Sequence, residues 1–229
     1  MERVKVMLTI PNTGWIHFTV VKAMLGIYAD SRLNISLLMP TKQPSEHNRN
    51  YIVTRFLDSD NQYLISIDSD NPPMSLMTDL VFEDKDIIGL STPIWKLLAH
   101  QLGKYPLELN GYMYHEKTRE IEGEIVKGHK QNTDATGIKE VDAIGTGCFI
   151  VARRVFEHPE MQKGCFLRSY DEKGIPILGS DLAFCKKAKE SGFKIWCSYD
   201  HVCDHIKEMS LREMAHGFGS WADPPKQKE

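Results

Sequence analysis

The chain has 229 residues, an apolar fraction of 41% and a formal net charge of −3. This length suits one well-buried domain, and the near-neutral charge disfavours a partner held mainly through its phosphates, which normally needs clustered Lys and Arg. Five cysteines without a CxxC pair fit reduced thiols better than a disulfide framework. No apolar run suits a signal peptide or a membrane span, so we predict a cytoplasmic protein.

Strands and helices alternate in the first half of the chain. Apolar runs predict four strands, at Val4–Ile10, Ile35–Met39, Tyr63–Ile67 and Asp86–Leu90. Helical spacing and helix-opening residues predict helices between them, at Trp15–Tyr28, Pro44–Phe56 and Met74–Phe82. This order predicts an α/β fold with a Rossmann-like, mostly parallel sheet that has helices on both faces.

The second half of the chain is less regular. Two strand-like segments, Gly111–His115 and Glu120–Val126, flank a turn at Glu116–Thr118 and predict a smaller antiparallel addition. The polar stretch Gly128–Gly137 predicts a loop. The remaining predicted elements are a helix at Asp181–Glu190, ended by Gly192, and strands at Val141–Ile144, Cys148–Val151 and Lys194–Cys197. A polar tail follows at 223–229.

The tetrapeptide DSDN occurs twice, at Asp58–Asn61 and at Asp68–Asn71. Two carboxylates two residues apart at a strand end point to the same side, and such oxygen ligands suit Mg²⁺ or Mn²⁺. The second copy follows the predicted strand Tyr63–Ile67, and open α/β sheets bind ligands at the carboxyl ends of their strands. The first copy precedes that strand. We therefore interpret the second copy as a metal site and the first as a solvated turn.

Four further features accompany the second DSDN in a fixed order along the chain. They are Arg49–Asn50, Gly145–Glu157, Gly179–Trp196 and His205. Together with Asp68–Asp70, this set resembles the metal-dependent glycosyltransferases of the GT-A fold, in particular the inverting family-2-like enzymes, over roughly residues 4–205. The resemblance implies a single GT-A-like domain over 1–222, with a nucleotide-binding half at about 1–92 and an acceptor half at about 93–222.

The resemblance also implies a hexosyltransferase-like enzyme that uses a nucleoside-diphosphate sugar with Mn²⁺ or Mg²⁺. Asp70 and His205 would bind the metal, and Asp68 would complete this set by contacting the ribose or a metal-bound water. The acceptor would be a hydroxyl group, of a saccharide in the first instance, or of a lipid-linked glycan, a protein or a modified nucleobase. The implied nucleotide-sugar-binding residues are Pro11, Asn12, Arg49, Asp68, Ser69, Asp70 and Gly147.

Asp181 matches the second member of the family's acidic helix-opening pair, which is the general base of inverting members. Ser180 departs from the family's usual Glu, so an alternative stays open, in which Asp181 only stabilises its helix terminus. The inverting outcome rests on Asp181 alone. Arg49 also has two readings, a contact to base or pyrophosphate and a solvated helix residue. Trp95 could stack on a sugar or base, or belong to the core.

Other functions are also compatible with the sequence. A nucleotidyltransferase acting on a sugar phosphate would need a Gly-rich, cationic loop after the first strand, whereas Pro11–Trp15 has one glycine and no cation. A non-catalytic sugar-nucleotide-binding protein on the same scaffold is a further alternative, although the residues that such a protein would lose, Asp70, Asp181 and His205, are present.

A zinc site is a separate alternative near the end of the chain. Four candidate ligands stand at odd positions and would point to one side of an extended strand: Cys197, His201, Cys203 and His205. Spread along one strand, these side chains span too far to surround one ion, and structural zinc sites use other spacings.

Overall fold

The computed structural model describes residues 2–95, 107–109, 112–121, 124–131 and 136–207. The strands in these ranges are β1 Val4–Thr9, β2 Leu33–Leu38, β3 Tyr63–Ile67, β4 Ile87–Ser91, β5 Pro93–Trp95, β6 Leu107–Leu109, β7 Tyr112–Ile121, β8 Glu124–Gln131, β9 Ile138–Val141, β10 Cys148–Ala152, β11 Ser169–Tyr170, β12 Pro176–Leu178 and β13 Ile195–Val202. The α-helices are α1 Phe18–Tyr28, α2 Ser45–Leu57, α3 Arg153–Glu157 and α4 Ser180–Glu190, and the 3-10 helices are Thr78–Glu83 and Pro159–Met161.

Seven strands form one sheet in the order β2-β1-β3-β10-β4-β13-β9. Strands β2, β1, β3, β4 and β13 run in one direction, whereas β10 and β9 run against their neighbours. The first residue of β10 therefore lies beside the last residues of β3 and β4. We call this edge of the sheet, where the parallel strands end, the carboxyl edge. Most of the sheet is parallel, as the alternation of strands and helices predicted.

The core consists of two layers, one on each face of the sheet. One layer joins the sheet to α2, α3 and α4 through buried residues such as Phe56, Phe156 and Phe184. The other joins it to α1 and the 3-10 helix Thr78–Glu83 through residues such as Val20 and Met77. Side chains of a strand alternate between the faces, so each central strand contributes to both layers. The predicted helices on both faces are confirmed.

One first-half prediction needs correction, because the expected helix Met74–Phe82 is a 3-10 helix that begins only at Thr78. The chain before it is tied to β13. Met74 N donates to Val202 O at 2.9 Å, and Pro73 pairs with Cys203 in an isolated bridge. These contacts hold the segment after the second DSDN in an extended form.

Three second-half predictions were wrong. Strand β7 continues through the predicted turn Glu116–Thr118, and only a register irregularity between His115 and Thr118 marks that place. Strand β8 runs into the predicted loop as far as Gln131, and 132–135 lie outside the described residues. The predicted strand Val141–Ile144 shares only Val141 with β9, which ends there, and the apolar character of Ile144 comes from burial against Gly89, not from strand pairing.

Arg153, at the start of α3, is bonded to the end of α2. Its guanidinium donates to the carbonyl oxygens of Phe56, Leu57, Ser59 and Asn61 at distances between 2.8 and 3.4 Å. The last carbonyls of a helix lack intrahelical partners and carry the negative end of its dipole, so a cation there is stabilising. Arg154 beside it pairs instead with Asp84 and Asp86 at the surface.

Replacing Arg153 with Met should lower the free energy of unfolding by about 2 kcal/mol, since several carbonyls lose a charged donor. Arg154→Met is the matched control and should cost less than about 1 kcal/mol, the usual value for exposed ion pairs. Urea denaturation measures both. Equal losses would show that the contact to the end of α2 has no special weight.

Candidate functional site

The carboxyl edge brings together side chains from distant parts of the sequence. The loop after β1, the start of α2 and the end of β3 border a cavity of about 170 Å³. Six of the residues that line this cavity were predicted to bind the nucleotide sugar: Pro11, Asn12, Arg49, Asp68, Ser69 and Asp70. The seventh, Gly147, lies directly behind them, because Asp68 N donates to Gly147 O at 2.7 Å.

One wall of the cavity has unmet hydrogen-bonding capacity. Asn48 and Arg49 both line it and are almost fully buried. The buried atoms Asn48 Oδ1 and Arg49 Nη1 have no hydrogen-bond partner among the residues that the structure describes. Buried polar atoms are nearly always paired in folded proteins, so exceptions are notable where they border a cavity. A polar ligand, with modest side-chain adjustment, would satisfy them.

Asp68, the first carboxylate of the second DSDN, is paired with Arg49. Arg49 Nη2 lies 2.9 Å from both Asp68 carboxylate oxygens. Burial raises the pKa of Asp68 to about 7, Arg49 opposes this rise, and the nearby carboxylates of Asp181 and Asp70 add to it. The two neighbouring carboxylates therefore destabilise the charged form of Asp68, and an added cation at this edge would be favoured.

Asp70 faces His205, which reaches the carboxyl edge from the end of β13. Asp70 Oδ2 and His205 Nε2 are 3.7 Å apart. His205 Nδ1 lies 3.1 Å from Pro93 O, and because a carbonyl oxygen only accepts, Nδ1 must carry the proton. In the neutral ring Nε2 then has a lone pair directed to the side of Asp70. A histidine oriented in this way is typical of a metal ligand.

This donor pair fits Mn²⁺ or Mg²⁺ as a partial coordination shell. Within the described ranges, no three His, Cys, Asp or Glu side chains converge closely enough to hold a metal ion by themselves. Ions of this class commonly take one or two carboxylates from the protein and complete their shell with water and substrate phosphates. Asp70 and His205 would be the direct ligands, whereas both carboxylate oxygens of Asp68 already accept from Arg49.

Lys207 also contacts Asp70, although it was not among the predicted site residues. Its Nζ lies 2.5 Å from Asp70 Oδ2, the same oxygen that faces His205. One signal was available, because Lys207 stands two residues after His205 and would point to the same side of an extended chain.

Asp181 is bonded to the glycine-containing segment before β10. Thr146 Oγ1 donates to Asp181 Oδ1 at 2.7 Å, and Thr146 N donates to Oδ2 at 3.3 Å. Gly179 occupies the N-cap position of α4 and offers no side-chain cap. The Asp181 carboxylate is thus directed to the carboxyl edge and held there by Thr146. A carboxylate has about four lone-pair positions, so acceptor capacity is left for a substrate hydroxyl.

The first DSDN lies at the opposite edge and has a similar pair of cations. Arg55 lies 3.3 Å from Asp58, and Lys5 lies 2.6 Å from Asp60. The hydrogen bond from Lys5 lowers the pKa of Asp60. A cavity of about 470 Å³ adjoins these residues. In both copies, therefore, an arginine pairs with the first aspartate and a lysine pairs with the second.

Exposure and neighbours separate the two copies. The side chains of Asp58 and Asp60 are 57% and 78% exposed, whereas those of Asp68 and Asp70 are 28% and 23% exposed. Among the described ion pairs, only the second copy includes a histidine, His205, which faces Asp70. Exposed carboxylates are screened by water and hold a cation weakly. The first copy therefore fits the solvated turn that its position predicted.

The proposed zinc set does not form a cluster. Cys197 and Cys203 lie in different core layers, on opposite faces of the sheet. The reason is a register irregularity in β13 between Ser198 and Val202, which breaks the simple alternation of side chains. Burial raises the pKa of Cys197 to about 12, so its thiol stays protonated. The side chain of Trp95 lies outside the described residues.

Gly147 allows the close approach of Asn71. A Cβ at Gly147 would lie 2.9 Å from Asn71 Cγ and Oδ1, closer than van der Waals contact allows. Asn71 is fixed by its own bonds, since Nδ2 donates to Asp204 O at 3.1 Å and its carbonyl accepts from Cys203 Sγ. These contacts connect β3, β10 and the segment that carries His205.

Gly147→Ala should lower the free energy of unfolding by about 1–3 kcal/mol, because Asn71 must shift to admit the methyl group. Gly26→Ala is the control. A Cβ there meets nothing within 4 Å, so this helix substitution should stabilise the protein by up to about 1 kcal/mol. Urea denaturation compares the two. A neutral Gly147→Ala would show that Asn71 moves freely.

No protein-family model and no curated protein matches the sequence. Solved structures do match. The chain is similar to A197 from STIV, at 14% identity and a TM-score of 0.57, covering 90% of this chain and 87% of that one. It is also similar to GalNAc-T7, solved with UDP, GalNAc and Mn²⁺, at 10% identity and a TM-score of 0.54. That match covers 97% of this chain but only 45% of GalNAc-T7.

The protein thus has a GT-A-like fold, a mixed α/β domain with a mostly parallel sheet, as the sequence predicted. No helix in the described part of the chain is long and apolar enough to cross a membrane.

Proposed function

We propose that the protein transfers a sugar from a nucleoside-diphosphate sugar to an acceptor hydroxyl, with Mn²⁺ or Mg²⁺ held by Asp70 and His205. The observation that carries this proposal is the approach of His205 Nε2 to Asp70 Oδ2, 3.7 Å apart beside the cavity, while Nδ1 of the same ring bonds to Pro93 O. The fold supports it, since GalNAc-T7 of the same fold was solved with UDP, GalNAc and Mn²⁺.

In this proposal the cavity holds the nucleotide. Pro11 and Asn12 lie against the base, and Arg49 balances negative charge while it orients Asp68 toward the ribose or a metal-bound water. Ser69 and Asp70 lie next to the phosphates, and Gly147 lies beneath the donor sugar. When bound, the cation neutralises both phosphates and so stabilises the leaving diphosphate.

Asp181 acts as the general base. Its carboxylate accepts the proton of the acceptor hydroxyl, whose oxygen forms a bond to the anomeric carbon. The bond from that carbon to the diphosphate oxygen breaks, and the nucleoside diphosphate leaves with the electron pair. Attack opposite the leaving group inverts the anomeric configuration. Thr146 keeps the Asp181 carboxylate in place for this step.

A thermal-shift screen of UDP-, GDP-, dTDP- and CMP-sugars, with and without Mn²⁺, tests the proposal. At least one diphosphate sugar should raise the melting temperature only when Mn²⁺ is present, because a ligand at about 100 times its Kd adds about 2.7 kcal/mol of stability. CMP-sugars carry a single phosphate and serve as a control. If no donor stabilises the protein with Mn²⁺, the proposal is wrong.

The two alternative functions give different results in the same assays. A nucleotidyltransferase would form a nucleotide sugar from a nucleoside triphosphate and a sugar phosphate. A non-catalytic binding protein would bind the donor but give neither transfer nor slow donor hydrolysis. The proposed enzyme should hydrolyse or transfer the bound donor and release a nucleoside diphosphate.

A further inference from the structure

Asp70 Oδ2 is approached by two groups, an imidazole nitrogen and an ammonium. His205 Nε2 is 3.7 Å away and Lys207 Nζ is 2.5 Å away. A cation that binds between Asp70 and His205 must use the oxygen that the ammonium already contacts. Two cations that share one carboxylate oxygen repel each other, so the lysine and a divalent ion exclude one another there.

We infer that Lys207 is an exchangeable cation of the site, which neutralises Asp70 until a divalent ion displaces it and then binds the donor diphosphate. This inference rests on the proposed function. Lys207 has the properties that the exchange needs. Its side chain is 55% exposed, its ammonium is carried on a flexible four-carbon stem, and its only described ion pair is with Asp70.

The exchange would couple binding of the metal and binding of the donor. Without a nucleotide, a divalent ion must compete with Lys207 for Asp70. When a nucleoside diphosphate enters, its phosphates offer the displaced ammonium a new anionic partner. Each ligand therefore makes binding of the other more favourable, and this coupling is reciprocal by thermodynamic linkage.

The experiment compares the wild type with Lys207→Met in two titrations. Mn²⁺ alone, followed through the EPR signal of the free ion, should bind Lys207→Met about two- to five-fold more tightly, the range expected when a partly exposed ion pair is removed. UDP and GDP, titrated calorimetrically at saturating Mn²⁺, should bind Lys207→Met about five-fold more weakly, because a charge-assisted contact to phosphate is lost. Lys207→Arg keeps the positive charge and should restore both the Mn²⁺ affinity and the nucleotide affinity of the wild type.

Lys5→Met is the matched control, since Lys5 contacts Asp60 of the first DSDN at 2.6 Å. It should leave both affinities unchanged. A lysine with a merely structural role would alter the urea midpoint and shift neither titration. If the wild type binds Mn²⁺ and UDP or GDP but Lys207→Met shows no opposite changes, this inference alone is wrong. If the wild type binds neither these ligands nor any diphosphate sugar of the thermal-shift screen, the proposed function is wrong, and this inference with it.

Discussion

Asp70→Asn should abolish Mn²⁺-dependent binding of the donor. The metal affinity should fall by about 100-fold or more, because removal of a direct ligand should cost at least as much affinity as removal of an outer-shell partner. The amide keeps the size of the side chain but lacks its charge, and it coordinates a hard divalent ion poorly. Isothermal titration with Mn²⁺ and the identified nucleotide sugar measures the loss. The fold should persist, because the Asp70 side chain contacts only His205 and Lys207 in the described ion pairs.

The matched control is the double variant Asp58→Asn with Asp60→Asn, which replaces both aspartates of the first DSDN in the same way. Its donor affinity should equal that of the wild type, because those carboxylates lie at the opposite edge of the sheet. If the first copy proves essential and the second dispensable, the assignment of the site is wrong.

Asp181→Asn should leave donor binding within about two-fold of the wild type and lower transfer by about 10²- to 10⁴-fold, the usual contribution of a general base. The amide oxygen can still accept a hydrogen bond from Thr146 Oγ1, so the position of the side chain is kept. It cannot take the proton of the acceptor hydroxyl. Donor affinity by calorimetry and product formation by chromatography separate the two effects.

Thr146→Val completes this test by removing the hydrogen bond from Thr146 Oγ1 to Asp181 without removing the charge of Asp181. Transfer should fall by about ten-fold, the loss expected when a supporting hydrogen bond to an active-site group is removed. Unchanged transfer in Asp181→Asn would exclude Asp181 as the base. Loss of donor binding in both variants would instead indicate that Asp181 serves to hold the segment before β10.

Much of the fold could be predicted because the pattern of apolar residues reports which elements are buried. Tyr63–Ile67 is a strand with the predicted bounds, and α4 begins one residue before its predicted start. The direction of β10 was not predicted, since parallel and antiparallel strands have the same two-residue period. The prediction of a turn at Glu116–Thr118 was wrong because polar residues occur in strands as well as in turns.

The location of the candidate site was predictable where position along a strand decides it. Asp68 and Asp70 follow β3 directly, and their edge follows from the sheet alone. The individual pairs were not predictable from spacing, because their members come from distant segments, although the two-residue step from His205 indicated the side on which Lys207 lies. Arg49 reaches Asp68 from α2, Thr146 reaches Asp181 from before β10, and Lys207 reaches Asp70 from after β13. Such pairs follow from tertiary structure.

The place of β10 between β3 and β4 has a consequence for biosynthesis. Strands β3 and β4 are synthesised well before β10. The edge of each strand that pairs with β10 therefore stays without hydrogen-bond partners until the ribosome has added the intervening chain. Unpaired strand edges invite aggregation. A fragment ending at residue 92 should therefore be insoluble by itself, and a nascent chain gains both members of the proposed metal-binding pair only after His205 has left the exit tunnel.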